Sequence, residues 1–152
     1  MDEYENLKLD HQLCFALYAA SHAITKAYRS VLENYELTYP QYLVMLVLWE
    51  SDGINVNAIA QRLELNSSTL TPMLKRLEAA GFITRVRSKQ DERLLEIKLT
   101  NIGFDLKHEI SKAQKNVECQ TGLCEEEFIE LRSSLYSLVE KMAKNSKNKE
   151  AA

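Results

Sequence analysis

Residues that interrupt helices, cage metals or cross-link chains are scarce in this sequence. Its 152 residues include four glycines, two prolines, three cysteines and three histidines. A stretch such as residues 9–34, with neither glycine nor proline, is free to run as one long helix. Three cysteines are read as thiols rather than as a disulfide framework. No apolar run approaches the ~20 residues of a membrane span, and no basic-then-apolar export signal opens the chain, so a cytoplasmic protein with no membrane partner is expected. Phosphate-cradling glycine loops and Ser/His/Asp or Cys/His constellations are missing, which argues against an enzyme and against a cofactor. Cys119 and Cys124 form a C-x4-C with no second pair and only His108 nearby, so no metal site is expected. Internal repeats and low-complexity linkers are absent too.

What is present suffices for one domain with its own core, since 45% of residues are hydrophobic and 27% charged. The net charge is −3, but it is unevenly placed. Residues 75–98 hold seven cations against four anions, a net +3, whereas residues 1–74 carry −5 and residues 99–152 carry −1. A positive field confined to one segment points to a polyanionic partner there, with binding that weakens as salt rises.

That segment lies within residues 66–100, around which the chain is organised. Leu70, Met73, Leu74 and Leu77 fall at i, i+3, i+4 and i+7, the apolar stripe of an amphipathic helix, and Asn66 or Ser67 is placed to cap it. Ser68, Thr71, Pro72 and Lys75 share the opposite arc, flanked by Thr69 and Arg76. Small hydroxyls and a long cation suit a major groove. Pro72 leaves the Ser68 carbonyl without its helical donor; it is either a tolerated early kink or a flat ring that packs on a sugar or thymine methyl. Gly81 is a helix stop, and two extended runs follow, residues 82–87 and 94–99. In the second, Leu95, Ile97 and Leu99 alternate with Glu96 and Lys98, the period of a half-buried strand. The tip between them, residues 88–93, has no apolar residue and is expected to project outward. With Arg85, Arg87, Lys89 and Arg93 on the hairpin, it reads as a basic wing.

The remaining elements follow from the same rules. Residues 9–34 carry the stripe Leu13, Leu17, Ala20, Ile24, Ala27 and Val31, with Asp10 as a cap. Pro40 opens a second helix to Glu50 that is apolar almost all round and is expected at the centre of the core, with Trp49 as packing. Asp52-Gly53 is a turn, and residues 56–63 form a short helix that braces the reading helix in helix-turn-helix spacing. A long helix covers residues 101–120 and ends before Gly122. A last one covers 125–144 with Phe128, Leu131, Leu135, Leu138, Val139 and Met142 on one face, and residues 147–152 form a polar tail. The terminal helices carry more apolar surface than the head can cover, so a two-fold homodimer is inferred. Its two reading helices would meet half-sites about 34 Å apart on a pseudo-palindromic double-stranded DNA.

The helix, the hairpin and the run from Asp91 to Thr100, with its D-x-R followed by a strand ending in Leu-Thr, resemble the winged helix-turn-helix of the MarR family. The resemblance implies a mainly α fold with a small β-hairpin, one MarR-type domain over residues 1–152, a DNA-binding head over 54–100 and a helical dimerisation region over 9–34 and 101–144. It implies a recognition helix in the major groove presenting Ser67, Ser68, Thr69, Thr71, Pro72, Lys75 and Arg76. It also implies a wing carrying Arg85, Arg87 and Lys89, whose Arg93 reaches the minor groove while Asp91 braces it. Read alone, Asp91 and Arg93 are a surface ion pair worth at most about 1 kcal/mol.

Cys14 sits near the start of the first helix, where the dipole gives modest help to a thiolate, although a lone cysteine on a helix is also a common packing residue. Tyr18 is one turn away. Tyr28 shares the face but lies roughly 21 Å along the axis at about 1.5 Å per residue, out of reach within one chain. If the first helices of two subunits run antiparallel, Tyr28 and Tyr39 of one chain can donate hydrogen bonds to the Cys14 thiolate of the other. The stretches from Leu9 to Ser21, Thr38 to Tyr42 and Leu70 to Pro72 resemble the organic hydroperoxide resistance regulators of the MarR family. By that resemblance Cys14 is the redox sensor, Tyr28 and Tyr39 are its cross-subunit partners, organic hydroperoxide is the signal, and oxidation relieves repression; Tyr18, one turn away, is a further candidate partner by its position alone. It also implies Cys119 as the resolving cysteine, with Cys124 or a small thiol as alternatives. A MarR-type repressor released by a small aromatic ligand, with structural cysteines, is the other reading of the same residues.

Overall fold

The computed structural model describes residues 4–150. The chain divides into two compact units, the first ending at Val117 and the second beginning at Glu118. Among the described residues no helix is long and apolar enough to cross a membrane.

The first unit is built on α2 (Tyr39–Glu50), whose Val44, Met45 and Leu48 are fully buried. Thr38 starts it with a reciprocal cap: the Gln41 amide donates to Thr38 Oγ1 at 3.4 Å and the Thr38 amide donates to Gln41 Oε1 at 2.9 Å. Trp49 packs partly buried against this core, and its Nε1 donates to the Gly103 carbonyl at 2.9 Å. Short α3 (Val56–Arg62) and α4 (Ser67–Ala79) follow, and Leu70, Leu74 and Leu77 of α4 are buried against α2 and α3, as the helical period requires. Between α3 and α4 the left-handed residue Glu64 (φ 54°) turns the chain.

The hairpin is β2 (Ile83–Arg87) and β3 (Leu95–Leu99), with Ile83 opposite Leu99 and Arg85 opposite Ile97. A third strand was not expected: β1 (Ile54–Asn55) pairs antiparallel with β3, Ile54 opposite Ile97, and makes β3 the centre of the sheet. Asp52 fastens it further by accepting the Leu99 amide at 2.8 Å. Two other expectations for the hairpin are corrected. Only Ile97 of β3 is buried, while Leu95, beyond the short β1, stays exposed. Ser88 is buried rather than projecting, because its amide closes the hairpin on Leu94 O at 2.8 Å and its hydroxyl accepts the Gln90 amide.

Helix α1 spans Leu13–Leu32, shorter than expected, and Asp10 is not its cap. Extended Gln12 occupies that position, while residues 5–11 wind into two 3-10 turns held by Gln12 Nε2 on the Asn6 and Lys8 carbonyls. A further 3-10 turn and left-handed Glu36 (φ 55°) end it. Within one chain none of its expected stripe is buried: Leu13, Ala20 and Ile24 are exposed and Leu17, Ala27 and Val31 half-buried, while the one buried residue of α1 is Leu32, off the stripe; Phe15 and Tyr18 are exposed as well.

Helix α5 spans Asn101–Gln120 as expected. The second unit contains its last turn, a turn through left-handed Gly122 (φ 70°), and α6 (Glu125–Glu150). The polar tail from residue 147 is thus helical as far as the description runs, since no glycine or proline stops it. Residues 151 and 152 lie outside the described residues. Leu131, Leu135, Val139 and Met142 of α6 are exposed.

Candidate nucleic-acid interface and thiol sites

The start of α4 is organised by one side chain. Asn66 Oδ1 accepts the Thr69 amide at 2.9 Å, the Thr69 hydroxyl at 2.7 Å and the Ser68 hydroxyl at 2.8 Å, which caps the helix and fixes two candidate contact residues together. The Ser67 hydroxyl donates to Asn57 Oδ1 on α3 at 3.3 Å, and Thr71 turns its hydroxyl back to the Ser67 carbonyl at 2.8 Å. Pro72 is the sixth residue of α4 and the helix runs through it. Ser67, Ser68, Thr69, Pro72, Lys75 and Arg76 are exposed and Thr71 is half-buried.

On the wing Arg87, Lys89 and Arg93 are exposed, Arg93 almost wholly at 93%. Asp91 Oδ1 accepts the Arg93 amide at 3.0 Å and lies 3.5 Å from Arg93 Nε, so the aspartate shapes the turn and faces the guanidinium. Arg85 points elsewhere. Its Nε donates to Glu78 Oε2 at 2.8 Å, a terminal nitrogen lies 2.7 Å from the same oxygen, and its amide donates to Glu78 Oε1 at 3.3 Å. The Arg85 side-chain hydrogen bond is the main reason that the Glu78 carboxyl titrates below its ordinary value of 4.5, against a smaller opposing effect of desolvation. Arg85 therefore ties wing to reading helix. Glu78 was not among the expected site residues, because nothing in the helical period marks a residue whose partner lies beyond the Gly81 turn.

Cys14 is the second residue of α1 and is exposed. Tyr18, one turn on, packs its ring on His22 with centroids 4.1 Å apart and faces Phe15 at 6.5 Å. The other two tyrosines are brought together: Tyr28 lies 5.2 Å from Tyr39, and buried Tyr42 completes a cluster at 5.3 Å from Tyr28 and 6.0 Å from Tyr39. Tyr42 holds the two rings in place, a role that sequence spacing across two helices does not reveal. Beside them lies a cleft of about 680 Å³ lined by His22, Lys26, Arg29, Thr38 and Tyr39. Cys119 and Cys124 are exposed and both line a separate cleft of about 440 Å³ within the second unit. Among the described residues no group of three or more His, Cys, Asp or Glu is placed to hold a metal ion.

A capped three-helix head with a braced, basic wing defines a winged helix-turn-helix regulator. Comparison with known proteins agrees. The family described as transcriptional regulator SarA/Rot matches residues 26–110. The helix-turn-helix regulator TtmR of Methylorubrum extorquens (strain PA1) is 52% identical over 130 residues, 86% of this chain and 67% of that one. The organic hydroperoxide resistance transcriptional regulator of Bacillus subtilis (strain 168) is 42% identical over 139 residues, 91% of this chain and 95% of that one. Among solved structures, reduced AbfR bound to DNA superimposes with a TM-score of 0.79 at 36% identity, covering 94% of this chain and 97% of that chain. AbfR, from Staphylococcus epidermidis, is also solved in a disulfide-formed state, with a TM-score of 0.66, 37% identity and coverage of 91% and 97%. The chain belongs to the SarA/Rot family of MarR-like winged-helix transcriptional regulators.

Proposed function

We propose that the chain is a two-fold dimeric repressor of a pseudo-palindromic double-stranded DNA site, released when an organic hydroperoxide oxidises Cys14. The observation that carries this reading is the thiol's position: Cys14 stands exposed in the first turn of α1, among Leu13, Phe15 and Tyr18 at 63%, 39% and 61% exposure. Apolar side chains at that exposure call for a second copy, and antiparallel pairing of two α1 helices brings Tyr28 and Tyr39 of the other copy to the thiol. The reading is supported by the hydroperoxide-resistance regulator at 42% identity and by AbfR, solved both reduced on DNA and disulfide-formed.

In this scheme the Cys14 thiolate attacks the terminal peroxide oxygen. An S–O bond forms, the O–O bond breaks, and the alcohol leaves with a proton. The sulfenic acid then condenses with a second thiol, Cys119 of the other copy or alternatively Cys124, releasing water and forming a disulfide that draws the two reading heads out of register. Arg93 enters the minor groove, the exposed face of α4 the major groove, and Arg85 acts through Glu78 to aim the wing.

The cleft by Tyr39, lined by Lys26 and Arg29 together with Glu33, favours a second reading, release by a small aromatic ligand with the cysteines structural. Titrating a labelled pseudo-palindromic DNA with wild type and Cys14→Ser, each with and without one equivalent of cumene hydroperoxide, separates the two. The sensor reading expects both to bind and only wild type to be released, for as long as its Cys14 is oxidised. A Cys14→Ser protein released as readily as wild type rejects it.

A further inference from the structure

Cys119 and Cys124 lie in the same small unit, and one sensor needs only one resolving thiol. Cys119 is in the last turn of α5, and Cys124 is the cap residue of α6, its carbonyl accepting the Phe128 amide at 3.0 Å. The spacer between them is folded back on itself. The Gly122 amide donates to the Cys119 carbonyl at 3.2 Å, the Thr121 hydroxyl donates to the Glu118 carbonyl at 2.7 Å, and Gly122 is left-handed. Both cysteines consequently line one cleft with Leu123, Phe128 and Arg132.

We propose that Cys119 and Cys124 of one chain are a redox-active dithiol that closes to an intrachain disulfide and thereby returns Cys14 to its thiol. The proposal rests on the sensor reading for its first step. Once Cys14 is joined to Cys119 of the other copy, Cys124 beside that Cys119 attacks its sulfur as a thiolate. The Cys119–Cys124 bond forms, the Cys14–Cys119 bond breaks, and Cys14 leaves as thiolate, with the Cys124 proton passing to solvent or to Cys14. Summed with the peroxide step, one hydroperoxide and the two thiols give one alcohol, one water and one intrachain disulfide.

One feature favours this exchange and another restrains it. A folded four-residue spacer keeps the second thiol at high effective concentration, so it outcompetes dissolved thiols. The Cys124 sulfur lies 3.9 Å from Glu126 Oε2 as a donor, a contact that attack must break, and its amide donates to Glu127 Oε2 at 2.9 Å, the main reason that the Glu127 carboxyl titrates below 4.5. Glu118 and Glu125 also border the cleft, against the single cation Arg132 among its lining residues.

The test follows wild type, Cys14→Ser and Cys124→Ser after one equivalent of cumene hydroperoxide by non-reducing electrophoresis, intact mass and peptide mapping, with alkylation of the remaining thiols. Wild type is expected to pass through a cross-linked dimer and end as uncross-linked chains that carry a Cys119–Cys124 bond and an alkylatable Cys14. Cys124→Ser is expected to stay cross-linked. Phenylarsine oxide, which bridges two neighbouring thiols, is expected to bind Cys14→Ser once per chain and the double variant Cys14→Ser/Cys124→Ser not at all. A wild type that remains cross-linked as stably as Cys124→Ser, or a Cys14→Ser protein that takes up no phenylarsine oxide, overturns the dithiol and leaves the sensor standing. If Cys14→Ser forms the intrachain bond with peroxide as fast as wild type does, the sensor reading falls, and with it the relay through Cys14.

Discussion

Glu78 and Arg85 join the reading helix to the wing across the Gly81 turn, with three contacts between one carboxylate and one arginine, backbone included. The pair fixes the direction in which β2 leaves α4. It therefore sets where Arg93, at the far end of the hairpin, stands relative to the exposed face of α4. In the function proposed above, a guanidinium used in this way acts on DNA through geometry rather than by touching it.

The pair gives the head a predictable acid sensitivity. Arg85 depresses the Glu78 pKa in the folded protein, so the contribution to stability is complete above the ordinary value of 4.5 and disappears as pH falls through the depressed value. Glu78→Gln is expected to flatten that part of the stability–pH curve in urea unfolding, and to weaken operator binding at neutral pH without altering its salt dependence. An unchanged acid limb would show that the carboxylate does not serve this purpose.

The elements legible in the sequence were those written in a local period. The stripe of α4, the apolar α2, the Gly81 stop and both ends of α5 follow from spacing and breakers alone. Strand β1 has two residues and exists only because β3 lies beside it, so no local pattern announces it. Ser88 is polar and yet buried for the same kind of reason, a hairpin closure that involves Leu94 and Gln90. Asp10 has the chemistry of a cap, but the Gln12 amide on two upstream carbonyls moves the helix start beyond it. At the candidate site, the cationic and hydroxyl residues were readable as a polar face. That Arg85 turns to Glu78 and that Tyr42 gathers Tyr28 and Tyr39 required the third dimension.

The junction between head and α5 should tolerate no added methyl. A Cβ at Gly103 would lie 2.0 Å from the Phe82 carbonyl oxygen, which is backbone and cannot swing aside. Around it Thr100 Oγ1 donates to the Gly81 carbonyl at 2.6 Å and accepts the Gly103 amide at 3.0 Å. Gly103→Ala is expected to cost about 1–3 kcal/mol from overpacking and Thr100→Val about 1 kcal/mol from the lost cap. Calorimetry should rank the two in that order, and a neutral Gly103→Ala would contradict the close approach.

Tyr28→Phe keeps the ring that packs on Tyr39 and Tyr42 and removes only the hydroxyl. If that hydroxyl donates to the Cys14 thiolate of the other copy, its loss should slow oxidation by cumene hydroperoxide roughly tenfold, the value of one hydrogen bond to a charged group. Thermal stability and DNA affinity of the reduced protein should stay near wild type. Stopped-flow measurement of the oxidation rate decides the matter, and an unchanged rate would place the Tyr28 hydroxyl outside the thiol's surroundings.

The basic residues of the head should separate by salt dependence. A cation that neutralises a phosphate releases a condensed counterion, so each such contact contributes about 0.9 to the slope of log affinity against log salt. Lys89 is exposed on the wing and free to serve in that way, exposed Arg87 spends one guanidinium nitrogen on the Glu92 carbonyl at 3.3 Å, and Arg85 is committed to Glu78. Lys89→Ala is expected to lower the slope by about one for each head that binds, with a similar loss on every sequence. Arg85→Ala should leave the slope alone and weaken binding by misdirecting the wing. Arg93→Ala should differ from both, because an arginine inserted in a narrow minor groove reads shape: the loss should be larger on an A·T-rich flank than on a G·C-rich one. Fluorescence anisotropy at several salt concentrations on two flanking sequences yields all these quantities. Equal losses for Arg93→Ala on both flanks would reassign that residue to simple phosphate contact.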